Sequence, residues 1–350
     1  MPKRILFLYS EFMPYNIPVW LSLKSDFGFD VHVVYWDHKK LTPYQYPGSE
    51  FSFYKRSEHD RNSLISLFES IKPEALFVSG RMDRDYLYVA RQAKTRSIPV
   101  IMGSDKQWKG NWKDWIFFVF QKYFYRPYFT HACIPGERQR VYCNKVGFTN
   151  DRIVEGLYCA NIDLFKTINA TGDDILFVGR LEPIKGVMLL VEAVRTLKTR
   201  NAFTGKLRIY GSGSLKDQIP HEEWIICNDF ADQSLLKDAI QASRIFCLPS
   251  VEEPWGVVVH EMAAAGLLIC CSDACGAGDS FVRQDENGYV FKTSDQDELV
   301  NGLMYLLSLK PDEVERGRAL SRALSREITP FFSSSQLSKL VEVETKEPAR

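Results

Sequence analysis

Two stretches hold side chains whose types and spacing suit one chemistry. "ILFVGRLEPIKG" reads as a strand ending at Val178, after which Gly179 lets the chain turn closely and Arg180 and Lys185 project from the strand's carboxyl end. Two cations five residues apart in a flexible loop suit a diphosphate, which needs both a forked donor and a mobile ammonium. A capping Arg180 with a solvated Lys185 is the structural alternative. In "PSVEEPWGVVVHEMAAAG", residues 249–266, Glu253 and Glu261 stand eight positions apart around an apolar run. Pro254 and Gly256 favour a turn there, so a helix should start near Gly256 and end at Gly266. The unsatisfied N–H groups of Val257 and Val258 at its start make an anion site. Glu261, roughly one turn in, suits hydrogen bonds from ribose hydroxyls, and Glu253, ahead of the helix, suits hydroxyls of a sugar.

The elements that must hold these loops follow from the apolar pattern. Short runs rich in β-branched and aromatic residues alternate with longer helix-like segments, the rhythm of parallel sheets wrapped by helices. One series comprises "RILFLY", "DVHVVYW", "ALFVSG", "PVIMGS" and "THACIP"; a second comprises "DILFVGR", "KLRIYGSG", "WIICNDF", "RIFCLPS", "LLICCSD" and "GYVF". The fold class expected is therefore α/β, with two doubly wound Rossmann-like domains facing across a cleft. The join falls in the turn-rich "EGLYCANIDLFKTINATGDD", giving domains over residues 1–165 and 166–329. Ligands of such sheets sit beyond the carboxyl ends of the strands.

"FVGRLEPIKG", "YGSGSLKDQI", "ASRIFCLPSVEEPWGVVVHEMAAAG" and "ENGYVF" resemble the signature blocks of family 4 retaining glycosyltransferases, which have the glycosyltransferase-B fold. The likeness covers residues 150–300. "CANIDLF" is more loosely similar to the family's hinge segment. The resemblance implies that Arg180 and Lys185 hold the pyrophosphate of a nucleotide-diphosphate-sugar donor, UDP- or GDP-linked, and stabilise the leaving nucleotide. It implies ribose binding by Glu261, contact of Glu253 with the transferred sugar, and phosphate contacts from the amides of Val257 and Val258. Gly179, Gly211, Gly213 and Gly256 would let the loops approach the nucleotide, and no metal or other cofactor is expected. The C-terminal helix over 330–350 is expected to pack back on the first domain, which would take the acceptor.

The chain departs from the family at two places. "YSEFMPYNIP" stands where a glycine-rich loop is usual, which leaves the roles of Ser10, Glu11 and Asn16 open. "PVIMGSDKQW" offers Asp105 where many members carry a histidine. Asp105 could orient the acceptor hydroxyl or accept its proton; a helix cap is the other reading.

Bulk properties narrow the partners. Of the 350 residues, 45% are hydrophobic and 25% charged, an ordinary globular balance that excludes a largely disordered chain. Net charge is zero, but residues 1–165 carry 23 Lys/Arg against 17 Asp/Glu, so the first half is basic and could face something anionic. No basic stripe of the kind a nucleic-acid binder shows is present. The eight cysteines lack metal spacing and read as reduced core residues of a cytoplasmic protein. No stretch approaches the ~18 apolar residues of a membrane span. "WKGNWKDWIFFVFQKYFYRPYF", residues 108–129, interleaves aromatic and basic residues. It reads either as a helix dipping into an anionic membrane surface or as a helix packed on its sheet with solvated basic groups.

The function expected is retaining transfer of a sugar to a saccharide or lipid-linked hydroxyl in surface polysaccharide, lipopolysaccharide or glycolipid synthesis, at the inner face of the membrane. A nucleotide-sugar epimerase of the same fold and an inactive nucleotide-binding homologue are the alternatives.

Overall fold

The apolar runs become parallel strands in a computed structural model that describes residues 2–10, 13–37, 50–166, 168–229 and 236–344. Glu11 lies outside the described residues. One compact unit comprises residues 1–159 and 330–350, the other residues 160–329.

The first unit is built on β1 (Lys3–Tyr9), β2 (Phe29–Tyr35), β3 (Ser52–Lys55), β4 (Ala75–Val78), β5 (Val100–Gly103), β6 (His131–Ile134) and β7 (Ile153–Glu155). Their order is β3-β2-β1-β4-β5-β6-β7, all parallel, so the order reverses beside β1. Ile5 to Tyr9 are all buried, as a strand covered on both faces requires. The covering helices are α1 (Asn16–Ser25), α2 (Arg61–Ile71), α3 (Arg84–Thr95), α4 (Trp112–Phe120) and α5 (Glu137–Lys145). Asp60, Asp83 and Asn111 cap α2, α3 and α4 with side-chain oxygens that accept first-turn N–H groups. The short edge strands β3 and β7 escape the sequence reading.

The second unit holds β8 (Asp174–Val178), α6 (Val187–Thr199), β9 (Leu207–Tyr210), β10 (Ile225–Asn228), α7 (Lys237–Gln241), β11 (Ser243–Leu248), α8 (Val257–Ala264), β12 (Leu268–Ser272), α9 (Gly278–Phe281), β13 (Gly288–Phe291), α10 (Gln296–Ser308) and α11 (Pro311–Ser325). Its parallel sheet runs β10-β9-β8-β11-β12-β13. The reversal falls between β8 and β11, which makes the ends of those two strands the topological switch point where ligands of such sheets bind.

The last helix, α12 (Pro330–Glu344), belongs to the first unit and packs on α1. A run of serines allows the close approach: Ser333 and Ser334 are fully buried, and the Ser334 and Ser22 hydroxyls lie 2.7 Å apart. Gly156, at φ +92°, has Ser333 where a side chain would go.

The boundary between units falls six residues before the 165/166 join expected from composition, because residues 160–165 are tied into the second unit. Ala160 and Phe165 are fully buried, and the Ala160 N–H donates to Nδ1 of His260 on α8 at 3.1 Å. An N–H partner on Nδ1 puts the proton of His260 on Nε2, which donates to the Ser325 carbonyl at 2.8 Å. The ring stacks on Phe281 with centroids 4.2 Å apart.

Burial lowers the His260 imidazole to about 4, and burial with the nearby Arg152 lowers His131 to about 4 as well. The unfolded chain therefore takes up these protons as pH falls through about 6.5, and the folded chain only near 4. Their stabilising contribution is complete above that upper value and shrinks on acidification, by roughly 1.4 kcal/mol per pH unit per histidine. Urea midpoints should fall steeply from pH 6.5 to pH 4.5, and His260→Gln should reduce that slope by about half of the histidine contribution; equal slopes would show that His260 is not buried neutral.

Candidate functional site

The loop after β8 is the hub of the second unit's switch point. Gly179 closes the strand, Arg180 is exposed beside the Glu182 carboxylate, and Pro183–Lys185 form a 3-10 turn ending at Gly186, which stands at φ +69° and starts α6. Two neighbours are stitched to it. On the β9 side, Leu181 N–H donates to the Ser212 carbonyl at 2.9 Å, and Ser214 donates from its hydroxyl (2.6 Å) and its N–H (3.0 Å) to Glu182. These two Ser214 bonds hold the Glu182 carboxyl below the usual carboxylate range.

On the β11 side, Val251 N–H donates to the Ile184 carbonyl at 2.8 Å, and the space a Cβ would take at Gly186 lies 2.0 Å from the Pro249 carbonyl oxygen. Lys185 Nζ is ion-paired with Glu253, the two side chains being 16% and 12% exposed. The sequence reading gave Lys185 to phosphate and Glu253 to sugar; the structure brings the two together. An ammonium has three donors, so Lys185 held by Glu253 can still meet an anion with the others. Ser250 Oγ also approaches the same carboxylate oxygen at 3.4 Å.

Glu253 is fixed from the far side too. The carbonyls of Glu253 and Trp255 accept the N–H groups of Gly276 and Ala277 at 3.1 and 2.9 Å. Cys275 Sγ donates to the Trp255 carbonyl, and Ser272 Oγ to that of Ser250. This supporting loop, "SDACGAG", and Glu182 were not singled out from sequence; the run of small residues was the available signal.

The helix expected after Gly256 is α8, with Gly256 as its N-cap at φ +96°. Cys275 Sγ and Glu253 Cγ both lie 3.1 Å from where a Cβ would sit, so glycine is needed for both conformation and space. Val259, His260, Met262 and Ala263 are buried, whereas Val257, Val258 and Glu261 are half-exposed. Glu261 thus shares one helix face with the two residues whose N–H groups open the helix.

Gly211 and Gly213 serve packing of protein on protein. A Cβ at Gly211 would stand 1.9 Å from the Gly179 carbonyl oxygen, and one at Gly213, which is at φ +156°, 2.5 Å from that of Leu181. Close approach to a nucleotide is not needed to explain either glycine.

In the first unit, Asp105 lies in the β5–α4 loop. It is not a helix cap, since Asn111 caps α4. Its carboxylate accepts a hydrogen bond from the Tyr158 hydroxyl at 3.1 Å, and its carbonyl accepts one from Gln139 at 3.3 Å. Burial, then the Asp105 charge, push the Tyr158 hydroxyl well above its usual value, which keeps it a donor. Asn16 is buried at the start of α1, donating to Tyr9 and accepting from Met13 N–H, and Ser10 N–H donates to the Ser79 hydroxyl. Among the described residues no group of three His, Cys, Asp or Glu side chains is gathered as a metal ion would require.

Comparison with known proteins bears on this arrangement. Residues 162–322 match the family model "Glycosyl transferases group 1". The uncharacterized glycosyltransferase MJ1607 of Methanocaldococcus jannaschii is 30% identical over 157 residues, which span 42% of this chain and 39% of that relative's length. Among solved structures, a glycosyltransferase from Rickettsia africae aligns with a TM-score of 0.77 at 13% identity, over 99% of this chain and all of that one. Anabaena Alr3699/HepE in complex with UDP and glucose aligns at 0.71 and 12% identity, over 97% of this chain and all of that one. The chain therefore has the glycosyltransferase-B fold, and its second unit carries the group 1 glycosyl transferase signature.

Proposed function

We propose that the protein is a retaining glycosyltransferase that moves a sugar from a nucleotide-diphosphate-sugar to a hydroxyl acceptor. The observation that carries this reading is the Lys185–Glu253 pair at the switch point, immediately ahead of the α8 N-terminus and on the same loop as the exposed Arg180. Lys185, Arg180 and the first-turn amides of Val257 and Val258 neutralise the diphosphate without a metal, Glu261 takes the ribose hydroxyls, and Glu253 faces the transferred sugar while holding Lys185. In the reaction the bond from the anomeric carbon to the diphosphate oxygen breaks with its electron pair leaving on the diphosphate. The acceptor oxygen attacks the same face, and its proton passes to the departing diphosphate. Asp105, held by Tyr158, is assigned to orient the acceptor hydroxyl. UDP in the Anabaena structure supports a UDP-linked donor. A saccharide or lipid-linked acceptor of surface polysaccharide or glycolipid synthesis fits the basic first half.

A thermal-shift panel of UDP-, GDP- and ADP-sugars tests the reading. A donor at a hundred times its Kd stabilises the native state by about 2.7 kcal/mol, a shift of roughly 5 °C or more for a unit of this size. No shift from any nucleotide-sugar refutes it. Release of nucleotide only with acceptor present separates a transferase from an epimerase, which interconverts the donor alone.

A further inference from the structure

Helix α4 and the wide turn that continues it, Gln121–Tyr125, turn the ordinary arrangement of a surface helix inside out. The stripe directed to the protein is Asp114, Phe118, Gln121 and Tyr125, at spacings of four, three and four: Asp114 and Gln121 are 6% and 4% exposed, and Phe118 and Tyr125 pack against the first unit's core. Half of the inward stripe is thus polar. Solvent receives the apolar residues: Trp112 is 68% exposed, Trp115 54%, Ile116 50%, Phe120 52%, Tyr123 65% and Phe124 61%. A water-facing helix buries its apolar side, and monomeric proteins rarely leave such a contiguous patch bare.

The charges around the patch select its partner. Residues 106–136 carry five Lys/Arg and a single acid, Asp114, which is buried and engaged by the Lys109 N–H at 2.7 Å and by Lys106 at 3.7 Å. The cations sit on the aromatic rings: Lys145 is 4.7 Å from the Trp108 centroid, Lys106 4.1 Å from Phe117, and Lys122 5.6 Å from Phe118. Wide aromatic residues ringed by flexible cations match the headgroup zone of an anionic bilayer, where rings sit at the acyl boundary and ammonium groups meet phosphates. A second copy docking symmetrically on this face would set its cations against their like. Among the described residues no helix is long and apolar enough to cross a membrane, so the segment lies in the interface and does not span it.

We propose that α4 and the turn after it dock the first unit onto an anionic lipid bilayer, with Trp112, Phe120, Tyr123 and Phe124 entering the interface and Lys109 and Lys122 meeting lipid phosphates. This stands apart from the proposed transfer reaction and survives its failure.

Flotation of the full chain with vesicles of phosphatidylcholine alone, and of phosphatidylcholine mixed with phosphatidylglycerol, tests it. The protein should float with the anionic vesicles, at least tenfold less with the neutral ones, and tryptophan emission should shift to the blue on binding. Phe120→Ser with Phe124→Ser should cut partitioning at least tenfold, and Lys109→Glu with Lys122→Glu should abolish the preference for anionic lipid. Both pairs are surface changes, and nucleotide-sugar thermal shifts should match those of the parent. Absence of flotation, or equal flotation of parent and serine variant, overturns the proposal. So does self-association that the serine changes abolish while vesicles go unbound.

Discussion

Replacing Lys185 with Ala should lower turnover at least a hundredfold while the protein remains folded. The ammonium is fixed by Glu253 at the carboxyl end of β8 before any donor arrives, so it need not be reorganised as negative charge grows on the departing diphosphate. Preorganised donors aimed at developing charge contribute roughly 3 kcal/mol each, which is a factor of about a hundred or more. The loss should fall on kcat more than on KM, because charge on the leaving oxygen is greatest in the transition state. Glu253→Gln separates the partners: it frees Lys185 from its ion pair and weakens the sugar contact proposed for Glu253, and should cost less than Lys185→Ala. Near-parental turnover of Lys185→Ala at matched folded fraction would remove the lysine from the mechanism. Stability provides the check on folding, since the variant leaves a part-buried Glu253 carboxylate with Ser250 nearby at 3.4 Å, a cost of about 1–3 kcal/mol.

Much of this site could be read from the chain, and the part that could not has a physical reason. Strands buried on both faces announce themselves as unbroken apolar runs, so "RILFLY" and "LLICCSD" were legible, whereas β3 and β7, short and at opposite edges of their sheet, bury too little to leave a pattern. Gly256 and Gly266 bracket α8 as turn chemistry requires; the helix ends at Ala264 and Gly266 follows at φ +80°. Contact between Lys185 and Glu253, 68 positions apart, arises from the adjacency of β8 and β11. Spacing within a motif contains no such adjacency. The orientation of α4 was equally hidden, because apolar residues surround it and only the polar pair Asp114 and Gln121, seven residues apart, marks the buried side.

Two glycines that touch each other should respond very unequally to one added methyl group. At Gly211 a Cβ would lie 1.9 Å from the Gly179 carbonyl oxygen, 3.0 Å from its carbon and 3.5 Å from Leu181. Backbone cannot yield as a side chain does, so the β8 and β9 loops must part by more than an ångström. That motion strains the bonds from Leu181 N–H to Ser212 and from Leu215 N–H to Leu181, both 2.9 Å. Overpacking of this kind costs about 1–3 kcal/mol, and each strained hydrogen bond adds about 1. Gly211→Ala should therefore lose roughly 3 kcal/mol or more in urea unfolding. It should also weaken nucleotide-sugar binding, because Arg180 rides on the displaced loop. At Gly179 the added carbon meets only Phe177, at 3.4 Å, an ordinary contact, so Gly179→Ala should lose less than about 1 kcal/mol. If Gly211→Ala unfolds at the parental urea concentration, the two loops are not in contact as described, and the support for the proposed placing of Arg180 and Lys185 against a diphosphate is gone.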